Sequence, residues 1–227
     1  MCIIVAAFHL HGDFTLLIAA NRDEFLGRPT LPPGEIRPGI LAGIDLEKGG
    51  TWMGATRSGL FVGLTNQRTD RLLPPAPRSR GEIVLAALEA GTLDGALQVI
   101  QSLDPACYNP FNLLLGDAER LFVAYSWKAP RIDPTELPPG LHVLTNDRLG
   151  SPLHPKALRA KELIAPLIRL SWEELLPALG SALADHRLPP SPLDHPLCDE
   201  ELRPVALALQ ALCVHTDRGY GTRSSAV

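Results

Sequence analysis

A cysteine directly follows the initiator methionine, and this position has a chemistry of its own. The enzyme that trims initiator methionine accepts only a small second residue, and cysteine is small enough. Once Met1 is removed, Cys2 carries both a thiol and a free α-amino group. An α-amine is a useful base near neutral pH, so nucleophile and base would share one residue. If Met1 is retained, the nitrogen is an amide, and Cys2 is then interpreted as an ordinary buried cysteine at the start of a core strand.

A thiol that attacks an acyl carbon also needs partners. Asparagine side chains at strand ends can donate hydrogen bonds to the developing oxyanion. Asn66 and Asn146 each end a predicted strand, in the similar segments Leu-Thr-Asn-Gln-Arg and Leu-Thr-Asn-Asp-Arg, although asparagine is also a common turn residue. A nearby cation lowers the pKa of a thiol, and Arg22 and Arg223 lie at predicted strand ends. These four residues are therefore candidate partners of Cys2.

Short strands and helix pairs must position these residues. Runs rich in Ile and Val predict strands, and apolar residues at helical spacing predict helices. We expect strands at 2–8, 14–20, 40–46, 51–55, 60–65, 112–115, 121–126, 140–146, 212–215 and 221–225. We expect helices at 81–90, 93–103, 155–170, from 172 onward after a capping box that starts at Ser171, and at 201–212. Loops rich in proline are expected at 27–39 and 188–196.

This order of elements indicates the fold class. Strands, helices, strands, helices and strands follow one another in separate runs, which favours an α+β fold over alternating βαβ units. Two antiparallel sheets covered by helix pairs would satisfy it. No linker stands out, so we expect a single domain over residues 1–227.

Composition excludes several classes of protein. The chain has 227 residues, of which 45% are hydrophobic and 20% are charged, as in a folded globular protein. Its net charge is −4 and it has no basic block, which argues against nucleic-acid binding. The apolar runs are too short to span a membrane, and the N-terminus lacks the basic region of a signal peptide. A cytoplasmic location is therefore expected.

Two residue pairs are alternatives as metal ligands. His9 and His11 are two residues apart, so one strand face would present both, but histidines at a hairpin end are more often solvated. Cys213 and His215 are of types that ligate haem iron, yet no spacing marks a haem site, and a cysteine in a core strand is the simpler interpretation. The four cysteines are too scattered for a zinc knuckle or a disulfide framework. We therefore expect no metal and no cofactor.

Several motifs together resemble one known family. They are Cys2, Asn-Arg-Asp-Glu at 21–24, Gly-Gly-Thr-Trp-Met-Gly at 49–54, Gly-Leu-Thr-Asn at 63–66 and Tyr-Gly-Thr-Arg at 220–223. Over nearly the whole chain, the sequence resembles the NRDE family, also called the transport and Golgi organisation protein 2 family. That family is similar to N-terminal nucleophile hydrolases of the choloylglycine hydrolase and penicillin acylase type. The resemblance implies a four-layer αββα sandwich of two antiparallel sheets flanked by helices.

The resemblance also implies a role for each motif residue. Cys2 would be the nucleophile, and Asp23 would orient the new N-terminus. Asn66 and Asn146 would lie at the oxyanion hole. Arg223 and Arg22 would polarise the thiol or bind an acidic group of the substrate. The hydrolases read Arg-Asn-x-Asp in the second strand, whereas here Arg22 lies between Asn21 and Asp23. In a regular strand, Arg22 would then face away from both. We expect Asn21 and Trp52 to contribute to substrate binding, although a buried tryptophan is often only packing.

Two functions follow from these observations. The first is an N-terminal cysteine hydrolase that cleaves a non-peptide amide or thioester bond of a small, partly apolar, anionic substrate. The second is a carrier or chaperone on the same scaffold for haem or acyl-CoA-type ligands, since the family is linked to haem and acyl-CoA handling. In both cases the expected partner is a small molecule, with no nucleic acid and no membrane span.

Overall fold

The computed structural model describes residues 2–70, 73–74, 76–151, 155–189 and 203–227. In chain order, its strands are β1 (Ile3–Phe8), β2 (Leu16–Phe25), β3 (Thr30–Arg37), β4 (Ile40–Asp45), β5 (Met53–Thr56), β6 (Phe61–Asn66), β7 (Phe111–Gly116), β8 (Leu121–Tyr125), β9 (Thr135–Leu137), β10 (Gly140–Leu144) and β11 (Tyr220–Ala226). Its helices are α1 (Gly81–Glu89), α2 (Leu93–Gln101), α3 (Pro155–Ile164), α4 (Trp172–Leu183) and α5 (Arg203–Ala208).

The described chain forms two compact units. The first contains the chain up to Gly27 and from Pro139 onward, together with Asp70, and the second contains the segments between Arg28 and Pro138. Each unit has one antiparallel sheet: β10-β1-β2-β11 in the first and β3 to β9 in sequence order in the second. The predicted α+β class with two antiparallel sheets and helices is confirmed.

The first unit buries one face of its sheet against α3 and α4. Every second residue of β1, namely Ile3, Val5 and Ala7, joins a core with Leu175 and Leu179 of α4. This alternation follows from the two-residue period of side chains along a strand. The predicted capping box is present at the start of α4, where the Glu174 carboxylate accepts hydrogen bonds from the backbone and side chain of Ser171.

The second unit packs α1 and α2 against its seven-stranded sheet. Leu113 and Leu115 of β7 share a core with Val84 and Leu88 of α1 and Ile100 of α2. The interior strand β7 is buried along its whole length, and its sequence is apolar apart from Asn112, as expected for a strand covered on both faces. This unit also carries the Gly-Gly-Thr-Trp motif, immediately before β5.

The predicted loop at 27–39 is wrong over most of its length, because β3 occupies Thr30–Arg37. This strand contains Pro32 and Pro33, which normally argue against a strand because proline has no N–H to donate. The strand lies at the edge of its sheet, where one side of the backbone needs no partner, and its register with β4 shifts between Leu31 and Gly34. Edge strands tolerate proline for this reason.

Three predictions near the C-terminus have mixed outcomes. The predicted helix at 201–212 begins outside the described residues, and the part that is described is helical from Arg203 to Ala208. The predicted proline-rich loop at 188–196 lies outside the described residues after Pro189. The predicted strand at 212–215 is reduced to a single bridge between His215 and Gly221. Within the described ranges, none of the helices combines the length and the apolar character that a membrane span requires.

The second glycine of the Gly-Gly-Thr-Trp motif allows a close approach between two backbones. A Cβ added to Gly50 would lie 2.6 Å from the carbonyl carbon of Gly81, at the start of α1. The backbone N–H of Thr51 donates to the carbonyl of Gly81 at 3.2 Å. Because the neighbouring atoms belong to the backbone, they cannot rotate away from an added methyl group.

Replacing Gly50 by alanine should therefore lower the free energy of unfolding by about 1–3 kcal/mol, as overpacking does elsewhere. Denaturant unfolding of the full chain measures this change. Gly12→Ala is the matched control, since a Cβ at Gly12 meets nothing within 4 Å. Equal stability of the two variants would show that the contact at Gly50 does not constrain the fold.

Candidate active site

Strand register brings several predicted site residues into one row at an end of the first sheet. The pairing of β1 with β10 ends at Ile4 and Leu144, so Cys2 and Asn146 each lie two residues beyond this last pair, at the same end of the sheet. Ile3 pairs with Asn21, which sets Cys2 beside Arg22 on its other side. A row across β10, β1 and β2 thus contains an amide, a thiol and a guanidinium.

Side-chain alternation sorts the residues of this row by face. Leu17 and Ala19 of β2 belong to the core with the helices, so Asn21 and Asp23 continue that face. Arg22 lies on the opposite face, where its side chain is only 5% exposed and its Nη2 lies 3.7 Å from the carboxylate of Glu24. Alternation along β1 places Cys2 on the same face as Arg22, because Ile3 packs toward the helices.

Asn21 joins three elements of the first unit. Its Nδ2 donates to the carbonyls of Leu183 at 2.8 Å and Leu212 at 2.9 Å. Its Oδ1 accepts a hydrogen bond from Ser225 Oγ at 2.7 Å. These bonds hold the end of α4 and the strand β11 against β2. A role of Asn21 in substrate binding stays a prediction.

Asp23 forms a buried ion pair with Lys156, in the first turn of α3. Lys156 Nζ lies 3.0 Å from Asp23 Oδ2, and the two side chains are 2% and 0% exposed. The other carboxylate oxygen accepts a hydrogen bond from Thr222 Oγ1 at 2.6 Å. Burying two charges is costly unless their geometry is good and their remaining hydrogen-bonding capacity is used. Here both carboxylate oxygens have partners, so the pair locks β2, α3 and β11 together.

The backbone carbonyl of Asp23 is a meeting point for two side chains. It accepts a hydrogen bond from Tyr220 Oη at 2.9 Å, and the thiol of Cys2 donates to it at 4.0 Å. Burial, together with the nearby Cys2 and Asp23, raises the pKa of the Tyr220 hydroxyl. Tyr220 therefore keeps its proton at physiological pH and remains a donor beside the thiol.

The environment of Cys2 favours the neutral thiol. Burial is the main cause that raises the pKa of this thiol, and the Asp23 carboxylate raises it further. The positive charge of the N-terminus, the hydrogen bond to the Asp23 carbonyl and Lys156 act in the opposite direction, but the net pKa shift is upward. At neutral pH the sulfur is therefore protonated, and it needs a base before it can act as a nucleophile. An unblocked amine on Cys2 would be such a base.

Arg223 lies on an irregular part of the sheet. The pairing of β11 with β2 shifts between Thr222 and Ser224, so Arg223 is the bulged residue. Bulges bend a strand and redirect a side chain. The half-buried Arg223 side chain donates through Nη1 to the carbonyl of Leu26. Two guanidinium groups, of Arg22 and Arg223, thus belong to neighbouring strands of the first unit.

The predicted residues divide between the two units. Asn146 is buried in the first unit, just after β10. Asn66 is exposed at the end of β6 in the second unit, and Trp52 precedes β5 in the same unit. The Trp52 ring lies directly over Gly43 of β4, where an added Cβ would meet it at 2.5 Å. A role of Asn66 or Trp52 beside Cys2 stays a prediction.

Sequence reasoning missed three residues that surround Asp23. Tyr220 and Thr222 lie in the Tyr-Gly-Thr-Arg motif, so the sequence identified their segment but not the roles of these two residues. Lys156 had no such signal, because a lysine on an amphipathic helix is usually solvated. Its partner is 133 residues away in the chain.

Loss of either charge of the buried pair should destabilise the fold. We expect Lys156→Met or Asp23→Asn alone to lower the free energy of unfolding by about 3–5 kcal/mol, since each leaves an uncompensated buried charge. The double variant should recover much of this loss, which a double-mutant cycle in denaturant would reveal. As a control, Arg131→Ala breaks the exposed pair with Asp133 and should leave stability nearly unchanged. Additive effects at Lys156 and Asp23 would contradict the pairing.

The raised pKa of the Cys2 thiol predicts a shifted pH profile of alkylation. In protein that retains Met1, the rate of reaction with iodoacetamide should reach its midpoint at a higher pH than in the urea-unfolded chain. The sign follows because a raised pKa leaves less thiolate at any given pH below it. Mass spectrometry of the N-terminal peptide measures the rate. The pH midpoint reports the pKa of the thiol, whereas steric shielding of the sulfur would lower the rate at every pH without moving the midpoint. A midpoint below that of the unfolded chain would contradict this description of the site.

Two solved structures have the same fold as this chain. An N-acylethanolamine-hydrolyzing acid amidase ortholog from Caenorhabditis elegans matches with a TM-score of 0.50 and 11% identity, covering 78% of this chain and 85% of that one. Penicillin V acylase from Agrobacterium tumefaciens matches with a TM-score of 0.51 and 14% identity, covering 80% and 71%. At such low identity these matches show the fold alone. They confirm the predicted N-terminal nucleophile hydrolase-like fold.

Sequence comparison identifies the family. The family model described as Transport and Golgi organisation 2 matches residues 1–227. A relative from Bos taurus, the Transport and Golgi organization protein 2 homolog, is 32% identical over 244 residues, which cover 100% of this chain and 87% of the relative. With a full-length family match and this identity, the chain belongs to the Transport and Golgi organisation 2 family.

Proposed function

We propose that this chain is an N-terminal cysteine hydrolase that cleaves a non-peptide amide or thioester bond in a small, partly apolar, anionic molecule. The observation that carries the proposal is the setting of Cys2. Its thiol lies 4.0 Å from the carbonyl oxygen of Asp23, which also accepts a hydrogen bond from the Tyr220 hydroxyl. This is the end of the sheet where β2 carries Arg22 and the chain just after β10 carries Asn146.

Removal of Met1 would complete the catalytic group. The freed α-amine of Cys2 would take the proton of its own thiol, directly or through one water, and the thiolate would attack the substrate carbonyl. The tetrahedral intermediate then collapses to a thioester on Cys2, and the departing amine takes the proton held by the α-ammonium. Water, deprotonated by the same α-amine, hydrolyses the thioester and releases the acid and the free thiol.

The neighbouring residues have distinct tasks in this scheme. The side-chain amide of Asn146 would donate to the oxyanion. Asp23, held rigidly by Lys156 and Thr222, would fix the backbone that carries the new N-terminus. Tyr220 shares the Asp23 carbonyl with the thiol and would limit its movement.

Charge and fold support the proposed substrate class. Arg22 and Arg223 supply two guanidinium groups on adjacent strands, which suit a carboxylate or phosphate on the substrate. The two solved structures with the same fold are named as an ortholog of an N-acylethanolamine-hydrolyzing acid amidase and as a penicillin V acylase. These names support an acyl substrate for this chain without identifying it.

A blocked N-terminus provides the sharpest test. The chain is produced with a C-terminal tag, so that Met1 can be trimmed, and separately with an N-terminal extension that keeps the nitrogen of Cys2 as an amide. Mass spectrometry should show loss of Met1 in the first form, and incubation with N-acyl and acyl-thioester compounds should leave an acyl adduct on Cys2. The extended form should still be alkylated by iodoacetamide but should show no turnover.

Two variants complete this test. Cys2→Ala should lower turnover by at least about 10³-fold while the fold stays intact, because the nucleophile is lost. Cys107→Ala, which removes another half-buried thiol, should behave as the parent does. Residual turnover in Cys2→Ala, or Met1 retained in protein isolated from its native cells, would overturn the hydrolase. The carrier of haem or acyl-CoA-type ligands would then be the remaining candidate.

A further inference from the structure

Three side chains of metal-ligating types converge in the first unit, and none of them is assigned to hydrolysis. They belong to His186, Cys213 and His215, and one ligand atom from each lies within 4.8 Å of the other two. Both histidines are exposed and the cysteine is half-buried, so solvent can reach the group. Two imidazoles and a thiol form a ligand set typical of transition metals.

Backbone pairing directs two of these side chains to the same side. Val214 is fully buried between them, while the ligand atoms of Cys213 and His215 lie within 4.8 Å of each other on the side that faces away from it. The segment is anchored to β11 from both directions. Thr222 N–H donates to the Val214 carbonyl at 2.8 Å, and Val214 N–H donates to Thr222 Oγ1 at 2.8 Å.

The third ligand is held in a tautomer suited to a metal. His186 Nδ1 lies 3.2 Å from the carbonyl oxygen of Cys213, and since a carbonyl only accepts, Nδ1 must be the donor. In the neutral ring, Nε2 then carries the lone pair that a metal needs. A backbone carbonyl that orients a ligating histidine through its other nitrogen is the usual second partner at metal sites.

The position of His186 is itself secured by its neighbour. The backbone N–H of Cys213 donates to the carbonyl of Asp185 at 2.9 Å, so two hydrogen bonds join segments that are 27 residues apart. The Asp185 carboxylate also accepts from Arg159 of α3 at 2.8 Å. The group is therefore built by tertiary contacts and not by chance proximity of mobile side chains.

A cavity of about 500 Å³ adjoins the three ligands. Its remaining wall is largely apolar and includes Leu188, Leu207 and Ala211. A metal with three protein ligands has a fourth position available for water or for a donor atom of a bound molecule, and the cavity offers the room for it.

We propose that His186, Cys213 and His215 bind one Zn²⁺ ion through two imidazole nitrogens and a thiolate, with a fourth position open to the cavity. Zinc requires S and N ligands at about 2.3 and 2.0–2.1 Å, so the side chains must rotate to bring their ligand atoms about 1 Å closer together. On binding, the thiol gives its proton to solvent and its sulfur lone pair to the metal. The proposal is independent of the hydrolase, since none of its ligands is assigned to that reaction.

Cobalt is the spectroscopic probe for this site. The metal-free, full-length chain is titrated with Co²⁺, and one equivalent should produce the thiolate-to-cobalt charge-transfer absorption and the intense visible bands of a four-coordinate ion. Zn²⁺ should then abolish both by displacement. Cys213→Ser should remove the charge-transfer band, and His186→Gln and His215→Gln should each weaken Zn²⁺ binding by at least about 10-fold.

Matched variants make the result decisive. Cys107 is the control thiol, because its sulfur lies 3.8 Å from a carboxylate oxygen of Asp104, a single additional metal-ligating group. Cys107→Ser should therefore leave the charge-transfer band and the Zn²⁺ affinity unchanged. His186 is exposed, so His186→Gln tests the site even if Cys213→Ser fails to fold. Absence of the charge-transfer band, its survival in Cys213→Ser, or its loss in Cys107→Ser would each overturn the proposal. All readouts are taken without substrate, so they do not depend on hydrolysis.

Discussion

The buried ion pair between Asp23 and Lys156 is the interaction on which the first unit depends. One carboxylate oxygen binds the ammonium and the other accepts a hydroxyl proton from Thr222, so one residue of β2 holds a helix and a strand that lie far away in the sequence. Because neither charge can reach water, neither partner can leave without exposing the other to an apolar surrounding. The carbonyl of that same Asp23 then carries Tyr220 and the thiol of Cys2. The buried ion pair between Asp23 and Lys156 therefore makes the candidate site rigid.

The row of site residues across the sheet was predictable to the extent that strand periodicity determines it. The apolar runs at 2–8 and 140–146 predicted two strands, and their antiparallel pairing brings Cys2 and Asn146 to the same end of the sheet. Alternation also predicted that Arg22 faces away from Asn21 and Asp23. Periodicity does not predict which strands are neighbours in the sheet. The pairing of β1 with β10 joins residues about 140 positions apart, and it follows from tertiary packing.

The structural roles that could not be predicted from the sequence share one physical feature, namely that each depends on residues far away in the chain. Lys156 has the sequence setting of a solvated helix residue, and only a carboxylate 133 positions earlier makes its burial tolerable. Pro32 and Pro33 argued for a loop, and only the edge position of β3 makes them compatible with a strand. In both cases the tertiary structure overrides the local preference. For Lys156 it supplies a buried partner, and for the two prolines it supplies an edge position where no hydrogen-bond donor is needed.

A single hydroxyl connects the two neighbourhoods of the first unit. Thr222 Oγ1 donates to the Asp23 carboxylate at 2.6 Å and accepts from the backbone of Val214 at 2.8 Å, between Cys213 and His215. A hydroxyl has one proton to donate, so its orientation is determined once the carboxylate takes that proton. Displacement of the segment that contains Val214 would therefore stretch the bond that keeps Asp23 in place. The end of the sheet that carries Cys2 and the cluster of His186, Cys213 and His215 thus share one geometric constraint, and neither can rearrange far while the other keeps its hydrogen bonds.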